Sequence, residues 1–164
     1  MEFDGIFPSN HHDTIEFFRI NFQEESRGWR LDKAEVIYVA SVLASHAQTS
    51  LDQDIPLADL YGFLDEFVLK PEGPPNSGRL ELAGAHSLLL AGFFREQMQR
   101  RHNVKWYEGL GRDFYKRAAK YTENKTRKAL LEMVSDDFGV LADICANLNK
   151  NFQENAENRY LIRI

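Results

Sequence analysis

The chain has 164 residues and a formal net charge of −5, from 20 basic and 25 acidic side chains. That length, with 43% hydrophobic and 27% charged residues, fits one soluble globular domain with its own core and excludes a disordered chain. A single cysteine, Cys145, excludes an internal disulfide framework and an all-cysteine zinc site.

Residues 1–164 read as one all-α domain, a compact bundle of about six helices, because the dominant apolar period is helical. Met1-Glu2-Phe3-Asp4 has neither the basic region nor the apolar run of a signal peptide. The longest nearly apolar run, Leu82 to Phe94, is shorter than the roughly 20 residues that cross a bilayer. The expectation is a cytoplasmic protein with no membrane partner.

Asp13 and Glu16 have the spacing of an N-cap and its reciprocal partner. Ile15, Phe18 and Phe22 follow on one face, and that helix should stop near Arg27-Gly28. Asp32 can cap a second helix running to about Gln48. A third is expected from Pro56, a good first helical position, to about Leu69. Its apolar set is Leu57, Leu60, Tyr61, Leu64, Phe67 and Val68. Lys70 to Gly78 holds the Pro and Gly residues of a loop. A fourth helix is expected over Leu80–Arg101, a fifth over Lys105–Tyr121 and a sixth over Lys125–Phe152. The sixth carries a seam of Leu130, Val134, Phe138, Leu141, Cys145, Leu148 and Phe152, in alternating steps of four and three. From about residue 153 a flexible tail is expected, with an apolar end at Tyr160-Leu161-Ile162 that could dock on a partner.

Two helices read as central. Ala34–Ala47 has one charge, Glu35, and Leu82–Phe94 has none, so both are apolar on every side. Gly84, Ser87 and Ala91 form a small-residue stripe, read as an internal contact rather than a dimer seam.

Catalytic constellations are incomplete. No acidic residue stands three positions before any of the five histidines, so the Glu-x-x-His pairs of a dinuclear metal bundle are missing. His12 and Glu16 are spaced to share a metal, but they read as a solvated first turn. Glu35 and His46 are too far apart on one helix to bridge an ion, and His46 reads as a partner of the helix dipole. Cys145 reads as a buried hydrophobe. Gly109-Leu110-Gly111 lacks the preceding strand and further glycine of a phosphate loop. Asp136-Asp137 falls mid-helix, with one of the two expected to face a buried polar group. His86, inside an apolar side, needs a hydrogen-bond partner or a ligand. It reads as a satisfied core histidine, or alternatively as lining a ligand pocket with Tyr107 and Tyr115.

The charge is segregated. Between Arg95 and Lys128 stand eleven basic and four acidic residues. On the helical wheel Trp106, Leu110, Phe114, Ala118 and Tyr121 gather on one side. Lys105, Arg112, Lys116 and Lys120 gather on the other, as a candidate face for an anionic partner. Rings turned inward argue against base stacking, and so against nucleic acid.

Gly92-Phe93-Phe94, Arg100-Arg101, Trp106-Tyr107, Gly111 and Phe114-Tyr115 together form a recognisable pattern. Across His86–Ala119 the chain resembles a bacterial family of uncharacterised all-helical proteins of unknown function. The family pattern has an acidic residue at or beside the position of His86, where this chain departs from it. The resemblance implies a helical fold in a bacterial cytoplasm and brings no catalytic residues. The expected function is non-enzymatic, a protein–protein interaction or regulatory role with a protein partner or a second copy, without cofactor or metal. The competing expectation is a small-ligand or metal-binding bundle that could act as an enzyme, with a pocket near His86.

Overall fold

A computed structural model describes residues 11–49, 62, 64–69, 75–100 and 103–162. Most of those residues are helical, and none of them is in a strand. The helices are α1 (His11–Glu25), α2 (Lys33–Thr49), α3 (Ser77–Leu88), α4 (Arg95–Gln99), α5 (Val104–Tyr121), α6 (Lys125–Asp136) and α7 (Phe138–Ile162), with π-helical turns at Asp65–Leu69 and Leu89–Phe93. The third helix expected from Pro56 lies mostly outside the described residues.

Local chemistry sets most of these ends. The Asp32 carboxylate accepts from Ala34 N at 2.8 Å. Asn76, Asn103 and Asn124 cap α3, α5 and α6 by accepting from Arg79 N, Lys105 N and Arg127 N. Each cap satisfies a backbone donor that the first helical turn leaves open. α1 departs from its expected start. It begins at His11, and Glu16 is turned to Arg19 at 2.8 Å rather than back to a cap.

The core runs through Phe18, Phe22, Leu43, Leu80, Leu90, Met98, Phe114, Leu131, Phe138 and Leu141, all buried. α3 packs most extensively on α5, α1 on α2, and α5 on α6. The central strut is the end of α3 with its π turn, where every residue from Ser87 to Phe94 is buried. α2 buries its Val39, Ala40, Leu43 and Ala44 face, but leaves Ile37 49% exposed. The small stripe is an internal contact: Gly84, Ser87 and Ala91 are buried, and Gly84 lies against the Tyr115 ring.

Two expected rods are broken. The fourth widens at Leu89–Phe93, where Phe94 N reaches back to Leu89 O at 2.8 Å. A π turn leaves carbonyls without their usual partners. Here Arg95 Nε donates to Ala91 O at 2.9 Å and Asn149 Nδ2 donates to Phe93 O. Arg95 also pairs with Asp143 at 2.7 Å and Glu108 at 3.5 Å, tying this turn to α5 and α7. The sixth rod bends at Asp137, whose φ of −93° and ψ of 7° end α6. Its carbonyl then accepts from Leu141 N at 2.9 Å to begin α7. The expected seam survives the bend, since Val134, Phe138, Leu141, Cys145 and Leu148 are all buried. α7 stays helical to Ile162, through the segment expected to be a flexible tail.

Candidate interaction surfaces

The residues singled out for a ligand pocket lie in the interior of the bundle. Tyr107 and Tyr115 are buried on α5 and His86 is half-buried on α3. The Tyr115 hydroxyl accepts from Tyr38 O–H at 3.1 Å. Burial, with Tyr38 and Glu81 nearby, raises its pKa well above the usual phenol range. Among the described residues, clefts of about 720, 470 and 670 Å³ open on the surface, and these three do not have His86, Tyr107 or Tyr115 in their walls. His46 packs edge-on to Phe94, with centroids 5.1 Å apart. Burial, and then the nearby His86, lower its pKa below the usual histidine value. That favours the neutral ring, in the last turn of α2. Cys145 is fully buried, and burial pushes its thiol up to about 12, so little thiolate forms at neutral pH. Among the described residues no three His, Cys, Asp or Glu side chains gather to hold a metal ion. Among them, too, no helix is long and apolar enough to cross a membrane.

One interior polar contact stands apart. Glu35 is 1% exposed, and its Oε2 has no hydrogen-bond donor among the described residues. Its carboxyl meets that of Asp137 at the α6–α7 bend. Burial raises the Glu35 pKa most, followed by Asp137 and then by the charges of Asp32 and Asp136, together to about 8. A pKa raised to about 8 favours the protonated Glu35 carboxyl at neutral pH. Of the Asp136-Asp137 pair, Asp137 is thus the one that faces inward.

The basic segment divides by pairing. Arg95, Arg100, Arg117 and Arg127 each reach a carboxylate, on Asp143 and Glu108, Glu96, Asp113 and Glu81 respectively. Lys105, Arg112, Lys116 and Lys120 are all exposed and have no ion pair among the described residues. With Gly109 they follow steps of four, three, four and four along α5. They make one stripe roughly 22 Å long at 1.5 Å per residue. The cleft of about 670 Å³ beside it includes Lys116, Lys120 and Lys128 with Asp113, Glu132 and Asp136. Because α5 and α6 form an antiparallel hairpin, Lys120 and Lys128 lie towards its turn and the aspartates towards its far end.

The wheel reading of α5 needs a correction. Trp106 is 50% and Tyr121 41% exposed, while Tyr107, Gly111, Phe114, Tyr115 and Ala118 are the buried face. The side that turns inward is rotated by about one position from the ring-rich side.

A second face was not read from the sequence at all. Ile20, Trp29 and Ile37 are 53%, 53% and 49% exposed, and all three line the cleft of about 720 Å³ between α1 and α2. Trp29 is held there by an ordered turn. Gly28 adopts a φ of +93°, the left-handed conformation that ends helices and suits glycine, and Trp29 N bonds Ser26 O at 2.9 Å. The available signal was a tryptophan set in a basic turn, Arg27-Gly28-Trp29-Arg30.

No family model, no curated protein and no solved structure matches this chain.

Proposed function

We propose that this chain is a non-enzymatic, cytoplasmic interaction protein whose α5 stripe docks on an acidic surface of a protein partner. The observation that carries this is the pairing pattern. Lys105, Arg112, Lys116 and Lys120 are exposed on one side of a well-capped helix, while the neighbouring arginines are bound to carboxylates. Exposed cations without an ion pair are available to a partner's carboxylates, and on a rigid helix their spacing is fixed before binding. A protein surface fits better than nucleic acid. Trp106 and Tyr121, although exposed, are fifteen residues apart on α5, too far to stack adjacent bases.

The test is affinity capture from the source cytoplasm, with partners identified by mass, using the native protein and a variant with all four positions changed to Ala. The native protein is expected to retain an acidic protein that the variant does not. Raising salt to about 0.5 M should weaken that retention several-fold, since exposed charges are screened beyond a few ångströms there. Equal retention by both proteins would overturn the reading. So would tighter binding to a single-stranded oligonucleotide than to the captured protein.

A further inference from the structure

We infer that the α1–α2 cleft is a second docking surface, and that its occupant is an amphipathic helix of another protein, apolar on one face and flanked by carboxylates. The inference is independent of the α5 stripe. Three large apolar side chains, each about half exposed, converge on one cleft, whereas exposed apolar residues scattered singly would mean nothing. Buried Val36 and half-buried Leu31 complete its apolar lining. A volume of about 720 Å³ is within the range that holds several side chains. A trough between two helices takes a third helix through anchors at i, i+3 or i+4, and i+7.

The rim selects the flanks of that helix. Arg19, Arg27 and Lys33 line the cleft against one carboxylate, Glu24. Arg19 is already occupied by Glu16 and Gln23. Arg27 and Lys33 are exposed and have no ion pair among the described residues. Carboxylates beside the apolar face would meet them at low desolvation cost, and lysines there would be repelled. The same charges disfavour a second copy. A two-fold contact would bring each copy's Arg27 and Lys33 against those of its partner. The chain's own C-terminal residues, Arg159-Tyr160-Leu161-Ile162-Arg163-Ile164, have the wrong sign.

With Trp106→Phe, Trp29 is the one remaining tryptophan and reports directly on the cleft. The probes are two synthetic helical peptides of roughly 16 residues with the same Leu face, one flanked by Glu and the other by Lys. The Glu peptide is expected to shift Trp29 emission to the blue with a saturable curve. The Lys peptide should bind at least about tenfold more weakly, a difference of about 1.4 kcal/mol. Ile37→Asp should remove the Glu-peptide response, as should Arg27→Glu with Lys33→Glu. These positions are exposed, so unchanged circular dichroism is expected to show intact folds. No shift with the Glu peptide, or equal shifts with both, overturns the inference. Concentration-dependent dimerisation that Ile37→Asp abolishes also overturns it, by making the occupant a second copy.

Discussion

Glu35→Gln is expected to flatten the protein's stability profile between about pH 5 and pH 8, and to leave the variant more stable than the native protein above pH 8. In the folded chain the Glu35 pKa is raised to about 8, against an ordinary carboxyl value near 4.3 when unfolded. Between those values the folded state holds a proton that the unfolded state has released. The stabilising contribution of the protonated carboxyl is therefore fully present below the unfolded pKa and is lost as pH rises through the folded one. For one proton the slope is at most about 1.4 kcal/mol per pH unit. Above pH 8 two carboxylates face each other across the contact between α2 and the α6–α7 bend. A carboxamide donates to Asp137 at every pH, so Glu35→Gln keeps the hydrogen bond and removes the titration. Urea midpoints measured at pH 5, 7 and 9 would check it. Parallel slopes in the native protein and the variant would show that Glu35 does not hold this proton.

This contact also shows what the sequence could and could not disclose. An isolated charge in an apolar helix, Glu35, and an aspartate pair inside another were both visible as anomalies. Their meeting was not, because it depends on how α2 crosses the α6–α7 bend. The same division runs through the fold. Ends set by local chemistry, such as Asp32 at the start of α2, were legible within a residue or two. Interruptions set by distant partners were not. The Leu89–Phe93 turn needs Arg95 and Asn149 to serve its carbonyls, and nothing within Leu80–Arg101 announces that Asn149 will arrive. The basic stripe was legible because exposed side chains without ion pairs obey helical spacing alone. The α1–α2 cleft was not, since Ile20 and Ile37 look like minor exceptions on their own helices until the two pack together. His86, Tyr107 and Tyr115 were chosen as polar atoms in apolar settings, and for Tyr115 the structure supplies the reason in the hydroxyl of Tyr38.

The rotation of α5 has a specific cause, and it leads to the other large effect. Counting rings places Trp106 and Tyr121 inside, because hydropathy gives glycine no weight as a contact residue. In the folded chain Gly111 is buried, and a Cβ added there would lie 2.2 Å from Phe138 Cζ and 2.4 Å from Cε2. No side chain tolerates that approach, and Phe138 is itself fully buried beside the start of α7. The missing side chain at Gly111 thus lets the Phe138 ring lie against the α5 backbone, and this fixes which face of α5 turns inward. Gly111→Ala gains about 1 kcal/mol of helix propensity. It also forces the ring aside in a close-packed core, at a cost of about 1–3 kcal/mol or more. The steric term should win, lowering stability by about 1–2 kcal/mol. Gly109→Ala on the exposed side of the same helix, with open space around its Cα, should be neutral or stabilising. The decisive measurement is a double-mutant cycle with Phe138→Leu. The shorter side chain makes room for the new methyl, so the double variant should be more stable than the summed single effects by about 1 kcal/mol or more. Strict additivity would place the cost of Gly111→Ala in the backbone rather than in the ring that lies against it.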